Sequence, residues 1–151
     1  MSTLLVQSCS KTKNQACSPG PAFDIYSGYY YKILKKAIAD GAFVDWLDVC
    51  ILSAKYGVLD RNDEIAVYDR RMDSDRATEL RPAVTDALVD RVTSEGYDRI
   101  VVNAGKTYQQ SIDDEAIPVP VQYIDADGLG KKGQILKRFV RGQEKVQAGE
   151  S

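Results

Sequence analysis

Four short apolar runs, each ending in a polar or glycine-bearing turn, limit this chain more than any other feature. They are TLLVQS (3–8), WLDVCILS (46–53), YDRIVVNAG (97–105) and VPVQYI (119–124). Stretches with helical spacing lie between and after them. Tyr30, Ile33, Leu34, Ala37 and Ile38 fall on one face within residues 28–40, and Gly41 closes that helix. Leu80, Val84, Ala87, Leu88 and Val92 repeat at the same period from a cap at Asp73 or Ser74 to Ser94. Pro82 lies inside that pattern and predicts a kink or a fresh start. KTYQQSI (106–112) predicts a short helix, and Ile135, Leu136, Phe139 and Val140 mark a last one over 131–143. Strands alternating with helices predict an α/β fold, a three-layer sandwich around a mainly parallel sheet of about four strands. The second run is apolar on both faces in its later half, as strands of a covered parallel sheet are. A single domain over 1–143 is expected, with 144–151 a frayed tail. Residues 54–72 show no period and predict a long loop, a kind of segment that is often functional.

In parallel α/β sheets, ligands sit outside the carboxyl ends of the strands. The unusual polar groups of this chain fall there. SCSKTK follows the first run, SAKYG ends the second, NAGKTY the third and DADGLG the fourth. If the strands are parallel, Cys9, Lys11, Lys55, Asn103 and Asp125 gather at one edge.

Composition narrows the chemistry. The chain has no histidine, which removes Ser-His and Cys-His nucleophiles, histidine bases and histidine-ligated metals together. The three cysteines, Cys9, Cys17 and Cys50, form no C-x-x-C pair, so neither a disulfide framework nor a zinc site is expected. No metal is implied, although Asp125 and Asp127 can hold one weakly, and no cofactor is expected. MSTLLVQSCSKTK lacks a basic region before its apolar stretch and reads as a first strand rather than a secretory signal. No run is long enough to span a bilayer. A cytoplasmic protein without membrane contact is the expectation, and the oligomeric state is left open. Net charge is −2, but the basic residues lie toward the two ends: five Lys against two Asp over 1–40, and six basic against two acidic groups over 131–151. That distribution fits either an ordinary surface or, if both ends fold onto one face, a patch for phosphates or nucleic acid.

Each motif carries a chemical and a plain structural reading. In SCSKTK, Ser8, Ser10, Lys11 and Lys13 can cradle a phosphate, Lys11 can act as a nucleophile, and Cys9 is the one thiol placed for chemistry. The segment is not a Walker A loop, and the same residues also suit a solvated loop. In SAKYG, Gly57 allows a sharp turn that leaves Ser53, Lys55 and Tyr56 at the rim; the other reading is a lysine lying over a core tyrosine. AVYDRRM sets Tyr68 and Asp69 beside Arg70 and Arg71: Asp69 can orient Lys55 or supply a base and the arginines can hold phosphates, while Arg70 and Arg71 read more plainly as a surface pairing with Asp69. FDIYSGYYY offers Asp24, Tyr26 and Gly28 at a helix entry, where Tyr26 and Tyr29 either stack on a base or pack in the core. NAGKTY places Asn103, Gly105 and Tyr108 at a strand–turn–helix junction suited to an anion. KKGQILKRF (131–139) suits a phosphate-facing or a solvated helix.

Taken together, SCSKTK, FDIYSGYYY, WLDVCILSAKYGVLDRNDEIAVYDRRM and VVNAGKTY resemble a small prokaryotic and phage family of unknown function over residues 4–130. Its pattern is a C-x-K-x-K strand end, an I-L-S-A-K-[YH]-G-L strand end, a Tyr-Asp pair and an A-G-x-x-Y turn. Val67 departs from it where the family often has proline. The pattern carries over Cys9, Lys11, Lys13, Asp24, Tyr26, Gly28, Ser53, Lys55, Gly57, Tyr68, Asp69, Gly105 and Tyr108, without roles. That family distantly resembles the peroxide-stress YaaA family and the core domain of archaeosine synthases, which implies nucleic acids or nucleobases as the substrate class. The expectation is an enzyme acting on a base by modification or N-glycosidic cleavage, with Lys55 or Lys11 as nucleophile or stabiliser and Asp69 as base. The alternatives are a non-catalytic DNA- or RNA-binding protein of the stress-response type and a nucleotide-sensing partner subunit.

Overall fold

The structure, a computed structural model, describes residues 2–143. The tail expected to fray over 144–151 lies outside the described residues. Strand β1 (Thr3–Ser8) leads into a loop, the short β2 (Gly20–Pro21) and one turn of helix, α1 (Ala22–Ile25). Helix α2 (Tyr29–Ala39) follows, then β3 (Leu47–Ser53), β4 (Gly57–Asp60) and β5 (Glu64–Ile65). The second half holds α3 (Ser74–Glu95), β6 (Arg99–Asn103), α4 (Lys106–Gln109), β7 (Val121–Tyr123) and α5 (Leu129–Val140).

Five strands form one sheet in the order β4-β3-β1-β6-β7, while β2 and β5 pair separately. Strands β3, β1, β6 and β7 are mutually parallel, as expected, and β4 runs antiparallel at the edge. The expected four strands are the parallel four. The fifth lies inside the segment expected to be a loop, where Ser53 pairs with Gly57 across a three-residue turn. Gly57 has φ +78°, the left-handed residue that closes such a hairpin.

The period of two along the central strands divides the core. Leu4 and Val6 of β1, Cys50 and Leu52 of β3, and Ile100 and Val102 of β6 pack with Leu80, Val84, Leu88 and Val92 of α3. Leu5, Val49 and Val101 face the other way, onto Leu34 and Ala37 of α2 and Leu136, Phe139 and Val140 of α5. Strands covered on both faces have little choice but to be apolar throughout. Helix α3 is capped by Asp73, whose side chain accepts from the Arg76 N–H at 2.8 Å, and Gly96 ends it at φ +73°. It continues through Pro82 as one helix, so the fresh start that was one of the two expectations there does not occur. Pro82 is exposed, and burial of Ala77, Leu80, Val84, Leu88 and Val92 on the opposite side holds the helix together. Among the described residues, no helix is long and apolar enough to cross a membrane.

The chain places β3 on one side of β1 and then crosses back to place β6 on the other. The reversal puts a crevice at the C-terminal tips of β1 and β6, where ligands of open α/β sheets bind.

Candidate functional site at the strand tips

Across that crevice, Cys9, one residue past β1, meets Tyr108 of α4, with Sγ and the phenol oxygen 3.1 Å apart. Just inside it, Gln7 and Asn103 sit opposite each other in the β1–β6 register and are buried. Asn103 Nδ2 donates to Gln7 Oε1 at 2.9 Å, and Gln7 Nε2 donates to the Asn103 carbonyl. The paired amides lock the two tips together. Gln7 carries no motif; only its pairing across the sheet reveals it.

On the β3 side, the polar end of that strand has a definite job. Ser53 Oγ accepts from the backbone N–H groups of Lys55 and Tyr56, both at 3.1 Å, and so shapes the turn. Its oxygen also lies 2.9 Å from Tyr68 Oη, a contact in which either hydroxyl can donate. Tyr68 lies 2.7 Å from Tyr26 Oη, and Tyr26 donates weakly back to Ser53 at 3.4 Å. Three hydroxyls thus close a buried ring. Burial pushes Tyr26 up to about 12. Burial, with Cys9 nearby, also holds Tyr68 and Tyr108 well above the usual phenol value. All three stay neutral at physiological pH, so they position neighbours rather than serve as bases.

Two ammoniums converge on this ring. Lys13 Nζ lies 4.5 Å from the Tyr68 ring centroid and Lys55 Nζ lies 5.7 Å from it. Lys55 also covers Tyr56 at 5.2 Å. Both are within cation–π range. Among the described residues neither lysine has a carboxylate partner. The loop after β1 brings Lys13 there by pairing back onto Tyr26, and the Asn14 N–H donates to the Ile25 carbonyl at 2.7 Å. Arg76 fixes the Lys55 side, its guanidinium donating to the carbonyls of Ala54 at 2.7 Å and Lys55 at 2.8 Å. No sequence signal marks Arg76, a basic residue in the first turn of a helix.

Other expected residues fall differently. Lys11 is exposed, and its carbonyl accepts from Lys13 Nζ at 3.4 Å, so Lys13 rather than Lys11 joins Lys55. Asp69 is exposed and forms no hydrogen bond or ion pair with Lys55, while Arg70 turns to Glu79 at 3.8 Å rather than to Asp69. The Tyr26 and Tyr68 rings are core, whereas Tyr29 and Tyr56 are exposed. Asp24 is exposed at the start of the segment before α2, and Ser8 gives its carbonyl to the buried Tyr31 phenol at 2.9 Å. Ser10 Oγ accepts from the Gly28 N–H at 3.3 Å. A Cβ at Gly28 would press on Ser10, which explains the glycine. Asp125 and Asp127 are exposed in the loop after β7.

Beside this cluster, at the tips of β6 and β7, lies a cavity of about 320 Å³ lined by Tyr30, Asn103, Gly105, Gly128, Leu129 and Lys132 among others. That is at the small end of ligand sites, which run from about 300 to 1,000 Å³. The sequence pointed to Asn103 and Gly105; Tyr30 and Lys132 join them only because α2 and α5 start at the same edge.

The model of a family of unknown function, DUF6884, matches residues 4–138, nearly the whole described chain. The protein belongs to this DUF6884 family. The site residues described above, from Gln7 to Lys132, lie inside the matched span. No curated protein matches the chain.

Proposed function

We propose that this protein is an enzyme directed at a nucleobase or nucleotide, with its site at the tips of β1, β3 and β6. The observation that carries the reading is the meeting of Lys13 and Lys55 over Tyr68, with no carboxylate paired to either among the described residues. Two uncompensated ammoniums beside a water-facing crevice call for an anion, and a phosphate is the common one. The cavity at the tips of β6 and β7, with Tyr30, Asn103, Gly105 and Gly128 in its lining, has room for a flat ring of nucleobase size. The distant resemblance of the motifs to YaaA and archaeosine synthase proteins points to the same substrate class.

The reaction we infer is base modification or N-glycosidic cleavage. Without histidine, the groups able to act are Lys55, Lys13 and Cys9. Lys55 serves as stabiliser of developing negative charge or as nucleophile. In the second role its amine attacks C1′ of an abasic sugar aldehyde, a C–N bond forms, water leaves, and an imine results. Borohydride reduces that imine to a stable amine, so trapping on an abasic oligonucleotide tests the nucleophile directly. A covalent adduct is expected from the native protein and lost in Lys55→Ala. No adduct, with activity unchanged in Lys13→Ala and Lys55→Ala, defeats the reading. A thermal-shift screen with bases, nucleotides and short oligonucleotides tests binding separately. Stabilisation without turnover leaves a nucleotide sensor in place of an enzyme.

A further inference from the structure

Helices α2 and α5 pack against the same face of the sheet and carry most of the basic residues of the two chain ends. Lys32, Lys35 and Lys36 lie on α2; Lys131, Lys132, Lys137 and Arg138 lie on α5, with Arg141 just beyond it. Over these two segments the single acidic residue is Asp40. Asp40 is already paired with Lys36 at 3.2 Å and Arg141 at 2.8 Å. Lys35 is half-buried and donates to the Tyr26 carbonyl. Lys32, Lys131, Lys132 and Lys137 have no carboxylate partner among the described residues. A chain of net charge −2 therefore concentrates positive charge on one face, and the rest is correspondingly acidic.

Between the helices runs a groove of about 420 Å³ lined by Tyr29, Lys32, Ile33, Lys36, Lys137 and Arg141. Its floor is apolar and its rim cationic. Tyr29 is 44% exposed, large for an aromatic side chain. Its ring lies against α5 at Gly133, where any Cβ would collide with it. A glycine inside a helix weakens that helix; here it seats an exposed tyrosine between lysines. The neighbouring ring of Tyr30, 5.4 Å away, lines the strand-tip cavity. Lys132 lines that cavity too. Groove and cavity thus share one tyrosine pair and one helix start.

We propose that the α2–α5 face docks the phosphate backbone of nucleic acid, with Tyr29 as a stacking platform. A row of cations with an interposed aromatic ring matches a polyanion that also carries bases. A lipid surface fits less well. The apolar sides of both helices, Leu34, Ala37, Leu136, Phe139 and Val140, are consumed by the core, which leaves no continuous apolar face to insert. A further consequence, resting on the function proposed above, is that the strand-tip site acts on a base within a polymer rather than on a free nucleotide.

The test is fluorescence anisotropy with labelled single-stranded DNA, duplex DNA and RNA over about 50–300 mM salt, where each phosphate contact steepens the salt dependence by roughly 0.7–0.9 in log–log slope. The native protein is expected to bind at least one oligonucleotide with affinity falling steeply as salt rises. Lys32→Gln/Lys137→Gln is expected to weaken binding at least tenfold and to flatten the slope by more than about one. Tyr29→Ala is expected to weaken single-strand binding about fivefold or more. Circular dichroism confirms that the variants are folded, and thermal stabilisation by a mononucleotide remains as in the native protein. Binding unaffected by these substitutions, no salt-dependent binding, or binding only to vesicles of phosphatidylserine and phosphatidylcholine overturns the proposal. If Lys13→Met/Lys55→Met abolishes nothing while the α2–α5 variants lose oligonucleotide binding, the strand-tip function fails and the docking face stands.

Discussion

Tyr68 holds the site at the scale of single residues. Its hydroxyl joins the buried hydroxyls of Tyr26 and Ser53, and its ring lies under two ammoniums. Tyr68→Phe keeps the ring and deletes the link. Tyr26 and Ser53 are then left short of a partner in a site with no exposure, which costs about 1–3 kcal/mol. Urea unfolding should read that loss, while anion affinity, which depends on the ring face and the lysines, stays within about twofold. A destabilisation below the error of the measurement would falsify the closed hydroxyl ring. Arg76 is the second hub. It clamps the Ala54 and Lys55 carbonyls, so Arg76→Met frees the turn that presents Lys55. The side chain is 19% exposed, so water replaces part of what is lost and the expected cost is about 1–2 kcal/mol. Arg76→Lys, with one donor in reach of the turn, should recover some of it. Equal stability for the native protein and the Met variant counts against the clamp.

Elements differ in how plainly the sequence announced them. The four parallel strands were legible because each is a short apolar run bounded by turn residues, and α2, α3 and α5 because their apolar faces repeat at helical spacing. The β3–β4 hairpin was not, since GVLD has too few residues to show a period and is defined by its partner. Gly57 was the available signal, one positive-φ residue closing a three-residue turn. Gly57→Ala tests it: the Cβ would lie 3.8 Å from Val84, an ordinary contact, so the cost is backbone strain alone. About 1–2 kcal/mol is expected from denaturant titration, and less for Gly57→Asn. Pro82 misled in the opposite direction. A proline inside a helical pattern suggests a kink or a fresh start, yet α3 continues through it, its buried side outweighing the missing hydrogen bond. Pro82→Ala restores that bond at an exposed position. It should stabilise the protein by about 1–3 kcal/mol, the helix gain less the added freedom of the unfolded chain. A lower melting temperature for this variant would mean the proline does something else there.

At the level of the whole molecule, the tips of the four parallel strands were expected to gather Cys9, Lys11, Lys55, Asn103 and Asp125 at one edge. What the sequence could not reveal was depth. Tyr26 and Tyr68 look like neighbours of a ligand but are core, and Lys13 replaces Lys11 because the loop pairs back onto Tyr26. The same depth gives the fold a marked alkaline sensitivity. Burial raises Tyr26 to about 12 and holds Tyr31, Tyr68 and Tyr108 above the usual range. Tyr97 and Tyr123 are raised first by burial and then by the carboxylates of Asp48 and Asp114 that they hydrogen-bond. Cys50, buried in the core, is pushed up to about 12. In the unfolded chain these groups ionise near their ordinary values, about 9 for the thiol and 10 for the phenols. Above those values the unfolded state holds fewer protons than the folded one, so rising pH favours unfolding. The stability these groups confer is complete below about pH 9 and drains away through pH 12. Urea midpoints taken between about pH 8 and pH 11.5 should fall steadily once pH passes 9. Tyr26→Phe removes one of the titrating groups, so its midpoint should fall less steeply between about pH 10 and 12 than that of the native protein. A native midpoint flat across that interval would mean that the phenols ionise as freely in the fold as out of it, and the buried hydroxyl ring beneath Lys13 and Lys55 would have to be open to water.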